Sequence, residues 1–256
     1  MDVSYLREEW KGEEEAYLNT IHLTNFSFKK RAMQITMSNL SSSSGVSKFL
    51  CLLCMIACVC DAYRPIATLD DFSGNQLLIG IISDSSVFPF TVEGFYESTG
   101  SGVLGGERDI ELVVTSGPSG AVFTAGVNND DLANSSPYLG SAFTIYQLDG
   151  IDASSAVNEN GLQNFDLTFS GSATAFRLFG FSDIPTSVEF FVYTTSGRLN
   201  YNLDIAGNFV GKEYIVEYSH FTGNGDFSDV GAIELQFSGN QQVDVQFSFF
   251  GVVGPE

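Results

Sequence analysis

Residues 221–237 read Phe-Thr-Gly-Asn-Gly-Asp-Phe-Ser-Asp-Val-Gly-Ala-Ile-Glu-Leu-Gln-Phe, and their pattern decides the fold class. Ile233, Leu235 and Phe237 alternate with Ala232, Glu234 and Gln236, the period of two of a strand with one buried face. Gly223, Asn224, Gly225 and Asp226 precede it as a loop, because glycine and asparagine tolerate positive φ. Phe227 and Val230 read as anchors that tuck this loop under a sheet edge. The next run alternates more strictly, with Val243, Val245, Phe247 and Phe249 against Asp244, Gln246 and Ser248. Joined by Ser238 to Gln242, the two runs predict a hairpin.

The same pattern extends backwards to Ile66. Strands are expected near 66–72, 76–82, 87–93, 107–115, 120–127, 141–148, 165–170, 175–182, 187–195, 198–206, 212–219, 232–238 and 243–250. Ser73-Gly74-Asn75, Ser196-Gly197 and Gly207-Asn208 supply turn signals between them. No segment of ten or more residues keeps a helical apolar stripe. Many short strands with regular turns predict an all-β chain, an antiparallel two-sheet β-sandwich of jelly-roll type. The 20 phenylalanines after Tyr63 would supply much of its core, each contributing about 1.5–3 kcal/mol when fully buried.

The segment before this domain has a different character. Residues 1–36 are first acidic, then basic, without a sustained period, and read as an upstream extension of the gene model. Residues 37–62 read as a secretory signal peptide: a Ser-rich start with Lys48, an apolar core of 11 residues from Phe49 to Val59, and cleavage after Ala62. A transmembrane helix needs about 20 apolar residues, so the mature chain is expected to have no membrane span. Two alternatives stay open: an unusually long n-region, and a lipoprotein signal in which Met55-Ile56-Ala57-Cys58 places Cys58 for acylation. All four cysteines lie in this run. The domain therefore has no disulfide, and core burial must stabilise it.

From Tyr63 onward 24 Asp and Glu face five Arg and Lys, a formal charge of −19. Such a surface repels phosphate backbones and anionic membranes and argues against nucleic acid as a partner. Its oxygen-rich turns make cation binding a candidate role. Calcium takes six to eight oxygen ligands, commonly carboxylates and loop carbonyls. Asp70 and Asp71 near the first strand, with Asp244 on the last, form the candidate calcium site, since terminal strands of this architecture are commonly neighbours. Asn224, Asp226 and Asp229 form a second oxygen-rich loop; the alternative for both is plain solvated turns. Arg108 falls on the inward face with Ile110, where it needs a carboxylate partner if buried.

Aromatic platforms flanked by amides and carboxylates are what carbohydrate contact requires, and Tyr96, Tyr138, Tyr146 and Tyr201 are the candidates. Half-buried core is the alternative for each. Asp130 with Asp131, or Asp149 with Asp152, could pair as a glycosidase acid and nucleophile, but acidic pairs are common in so acidic a chain. His220 is the domain's only histidine and no G-x-S-x-G elbow accompanies it, so a surface or capping role is expected there.

Leu104-Gly105-Gly106-Glu107-Arg108-Asp109, the Phe221–Leu235 phrase and Leu69-Asp70-Asp71-Phe72 together resemble a secreted domain of bacterial exosortase-sorted (PEP-CTERM type) surface proteins. More distantly they resemble galactose-binding-like jelly rolls. Gly254-Pro255-Glu256 echoes the start of a sorting signal. The resemblance spans about residues 66–253 and implies export and a secreted, cell-surface or matrix role. The expectation is a non-enzymatic β-sandwich that binds glycan or extracellular matrix material and holds calcium as a structural ion. A purely structural matrix component is the first alternative, and a polysaccharide-acting hydrolase the second.

Overall fold

In the computed structural model, which describes residues 63–98, 102–128, 131–135, 140–207, 210–239 and 243–256, the alternating runs become strands of two antiparallel sheets. In chain order the strands are β1 Tyr63–Asp70, β2 Gln76–Ile81, β3 Phe90–Glu97, β4 Glu107–Ser116, β5 Val122–Asn128, β6 Asp131–Ser135, β7 Ser141–Leu148, β8 Ala175–Ser182, β9 Thr186–Thr194, β10 Gly197–Ile205, β11 Lys212–Glu217, β12 Thr222–Gly223, β13 Val230–Gly239 and β14 Asp244–Pro255. Sheet A runs β11-β8-β14-β6-β5-β2, with β1 beside the second half of β14. Sheet B runs β12-β10-β9-β13-β7-β4-β3. The predicted two-sheet sandwich is the fold observed. The expectations for residues 1–62, including the signal peptide and Cys58, lie outside the described residues.

Alternation decides what each sheet turns inward. Leu199, Leu203 and Ile205 of β10 are buried while Asn202 and Asp204 are exposed, and Tyr214 and Val216 of β11 are buried likewise. The inner faces meet in an aromatic centre. Phe176 of β8 lies 5.7 Å from Phe190 of β9 and 5.7 Å from Phe250 of β14, with Phe227 at 6.0 Å. Phe227 also stacks on Tyr218 at 3.9 Å, so the loop after β12 is anchored as expected. Gly223 holds φ at +118°, a value few side chains tolerate.

Three sequence expectations change. β13 and β14 do not form a hairpin: β13 pairs with β7 and β9, whereas β14 pairs with β1, β6 and β8. The two strands face each other across the core, with the Phe237 and Phe247 rings 5.6 Å apart. Residues 165–170 form turns rather than a strand, because the Asp166 carboxylate accepts the Thr168 and Ser170 amides and Phe169 and Ser170 sit at positive φ. β6 was not expected, since Asp-Leu-Ala-Asn-Ser carries little strand propensity. It is held from both sides, by β5 and by β14.

A buried ion pair ties the sheets together. Arg108 and Asp70 are both fully buried, and the guanidinium bridges both carboxylate oxygens at 3.0 and 2.9 Å. Its Nε donates to Gln76 at 3.1 Å, and its remaining nitrogen donates to the Ser73 and Gly74 carbonyls at 3.2 Å each. Thus β4 of sheet B grips the β1–β2 turn of sheet A.

Candidate functional site

The outward face of sheet B is where polar side chains assemble. Strand pairing aligns one row across six strands: Glu93 of β3, Glu111 of β4, Ile145 of β7, Gln236 of β13, Glu189 of β9 and Asn202 of β10. Five inter-strand spacings make this row about 24 Å long. All six side chains reach solvent at least in part. A second row beside it carries Phe95, Asp109, Gln147, Glu234, Phe191 and Asn200.

Glu234 is the hub of the face. It accepts from Gln147 Nε2 at 3.0 Å, Gln236 Nε2 at 2.7 Å and the Tyr193 hydroxyl at 3.4 Å. The Arg198 guanidinium lies 4.7 Å above the Phe191 ring and 6.0 Å from that of Tyr193, within cation–π range. Residues 149–162 border this end, with Val157 packed on Phe191, Tyr193 and Ala232. Glu93 and Glu111 stand directly opposite each other, an arrangement that costs stability in a sheet. Burial first, then repulsion by Glu93, raises the Glu111 carboxyl above its ordinary range. Burial and the Glu234 charge likewise raise the Tyr193 phenol.

Three of the four tyrosines expected as platforms are not on this face. Tyr146 is wholly buried in the core, donating its hydroxyl to Asp70 at 2.6 Å. Tyr96 lies half-buried with its ring 4.8 Å from the Arg108 guanidinium. Tyr201 pairs with buried Phe190 and packs on His220 and Phe221 at 5.9 and 5.6 Å. Tyr138 lies outside the described residues. Strand parity is the reason: Tyr96, Tyr146 and Tyr201 occupy inward positions, whereas the outward aromatics include Phe95, Phe143, Phe191 and Tyr193. In Phe190-Phe191-Val192-Tyr193 no alternation marks which face is which, as in strands covered on both sides. The available signal was the amides on the neighbouring strands, Asn200 opposite Phe191 and both Asn202 and Gln236 opposite Glu189.

The proposed calcium ligands are not brought together either. β1 and β14 are neighbours as expected, but Asp70 pairs with Phe250, whereas Asp244 pairs with Ser135 at the far end of β14. Six residues of strand separate the two positions by roughly 20 Å. Asp70 is committed to Arg108 and Tyr146, and exposed Asp71 caps the Ser73 amide at 2.8 Å. Asp226 caps Ser228 and Asp229 accepts the Thr195 hydroxyl. Among the described residues no group of three or more His, Cys, Asp or Glu is arranged to hold a metal. The Asp149–Asp152 pair is not open to a substrate, because Asp149 is wholly buried. His220 lies exposed at the end of a short 3-10 turn, 3.9 Å from Glu217.

No family model matches this chain, and no curated protein matches it. Solved structures it is similar to include a family 11 carbohydrate-binding module from Clostridium thermocellum in complex with a β-1,3-1,4-mixed-linked tetrasaccharide, 12% identical, covering 71% of this chain and 96% of that one, TM-score 0.33. A family 29 carbohydrate-binding module complexed with mannohexaose is 8% identical over 70% of this chain and 92% of that one, TM-score 0.30. The agarase AgWH50C is 11% identical over 77% of this chain and 25% of that one, TM-score 0.40. These scores are low, and the face of sheet B has to carry any functional reading. Among the described residues no helix is long and apolar enough to cross a membrane.

Proposed function

We propose that this is a non-catalytic glycan-binding domain whose ligand lies across the outward face of sheet B. The observation that carries the reading is the aligned row from Glu93 to Asn202. A sugar ring offers hydroxyls around its rim and C–H groups on its faces. Amides and carboxylates answer the hydroxyls, and the partly exposed Ile145 and Phe143 offer apolar ground for the C–H groups. Four glutamates, Glu93, Glu111, Glu189 and Glu234, look onto this face beside the cation Arg198, a balance that favours an uncharged polysaccharide over a uronic or sulfated one. Export and a surface or matrix location belong to the same proposal; the signal-like segment 37–62 and the resemblance to exosortase-sorted proteins support them.

The test is affinity electrophoresis and calorimetry of the full chain against soluble neutral and acidic polysaccharides. At least one neutral polymer is expected to bind, with Gln236→Ala and Asn202→Ala each weakening it about tenfold, one well-placed hydrogen bond's worth. Phe179→Ala on sheet A should leave binding unchanged. No binding to any polymer, or equal loss in all three variants, overturns the reading. One observation favours a matrix-structural role instead: Leu77, Ile79, Ile81 and Val122 make an exposed apolar row on sheet A, and such rows mark protein contacts. Concentration-dependent assembly abolished by Ile79→Ser, without glycan binding, would favour it.

A further inference from the structure

Residues 149–162 leave β7, lie over the outward face of sheet B and return to β13, where the Leu162 amide donates to the Gly231 carbonyl at 2.8 Å. Carboxylates at its base pin this strap, one from β4 and one from its own first residue. Glu107 accepts the Asp152 amide at 2.8 Å and the Ala153 amide at 3.2 Å, and Asp149 Oδ2 accepts the Asn158 amide at 2.7 Å. Asp109 lies between them on β4. Glu107, Asp109 and Asp149 are 0, 1 and 0% exposed.

Both Asp109 oxygens and Asp149 Oδ1 receive no N–H or O–H donor among the described residues, and the Asp109 carboxyl lies within hydrogen-bonding reach of the Asp149 and Glu107 carboxyls. The groups around them are acidic or neutral. Asp152 in the strap and Glu107 on β4 act on the pair as negative charges. On β3, Glu97 stands opposite Glu107 and Phe95 opposite Asp109; on β7, Gln147 stands opposite Asp109; and Glu234 of β13 lies beyond Gln147. The adjacent Arg108 points into the core, to Asp70. Two touching, buried carboxylates without a cation cannot both ionise.

We propose that Asp109 and Asp149 share one proton, that this proton fastens the 149–162 strap onto sheet B, and that the strap opens as the pair loses it. The device needs no glycan and goes beyond the binding reading. Burial first, then hydrogen bonding and repulsion from Asp149 and Glu107, pushes the Asp109 carboxyl up to about 9. Once the strap lifts, the carboxyl regains its ordinary value near 3.9. Opening between these limits therefore releases a proton. The closed state is fully favoured below the ordinary value and loses that advantage as pH rises through the raised one. An open strap takes Val157 off Phe191 and Tyr193.

Hydrogen exchange by mass spectrometry on the full chain at pH 5, 7 and 9, corrected for intrinsic rates, tests this at the Asp152, Ala153 and Asn158 amides. The opening constant should rise by up to about tenfold per pH unit, the slope for one proton, while β8 amides stay protected. Asp109→Asn and Asp149→Asn keep the size and a hydrogen bond without the titration, and each should flatten the profile. Wild-type protection that is independent of pH overturns the proposal, as does an equal decline in the variants or a parallel loss in β8. Calcium that restores wild-type protection at pH 9, but not that of Asp109→Asn, also overturns it, because the pair would then hold a cation rather than a proton. Should one variant fail to fold, the wild-type profile and the other variant decide.

Discussion

Replacing Arg108 with Met should be among the most damaging single changes in this domain. The side chain is fully buried and donates five hydrogen bonds, two of them to Asp70. Met fills similar space but leaves the Asp70 carboxylate buried without its cation. Breaking such a pair costs about 3–5 kcal/mol. At about 2–4 °C per kcal/mol for a domain of this size, the melting temperature should drop by roughly 6–20 °C. The loss should also depend on pH. Burial pushes the Asp70 carboxyl up, while Arg108, the Tyr146 hydroxyl and the Phe72 amide pull it back. Without Arg108 the carboxyl rises further above its unfolded value, so the variant is least impaired at low pH and loses ground as pH rises through that raised value. Adding Asp70→Leu removes the orphaned charge and should recover much of the deficit, since buried pairs are replaceable by apolar groups. Melting curves of wild type, both single variants and the double variant between pH 4 and 8 check this. A deficit below 1 kcal/mol in Arg108→Met, or one equal at every pH, would refute the reasoning.

Phe176→Ala should cost about 3–5 kcal/mol by chemical denaturation, since its ring touches Phe190, Tyr218, Phe221, Phe227 and Phe250. Gly161→Ala would set a Cβ 1.4 Å from the Asp149 carbonyl oxygen, so hydrogen exchange should find the strap displaced even where the strands of sheet A stay protected. Phe179→Ser, at an exposed position of sheet A, should change stability by no more than about 0.5 kcal/mol. In calorimetry, Arg198→Ala should weaken any bound neutral polymer and leave the fold intact, because its guanidinium lies over Phe191 and Tyr193 at the surface.

Much of the fold was legible in local pattern. Alternation along β10, β11, β13 and β14 was enough to predict strands, an all-β class and a sandwich, because the pleat turns successive side chains to opposite faces. The anchoring of Phe227 and Val230, and the need of Arg108 for a carboxylate, followed from the same local reasoning. Which carboxylate answers Arg108 did not, since Asp70 lies 38 residues away and reaches it from the other sheet. Nor could alternation tell that β13 and β14 part into different sheets, because a hairpin and a crossing between sheets show the same period of two in each strand. The candidate site was hidden for a related reason. Its row takes one residue from each of six strands, so no stretch of chain contains it, and Tyr96, Tyr146 and Tyr201, which looked suitable, point inward by parity. The proton shared by Asp109 and Asp149 likewise exists only once β4 and β7 lie side by side and residues 149–162 seal them from water.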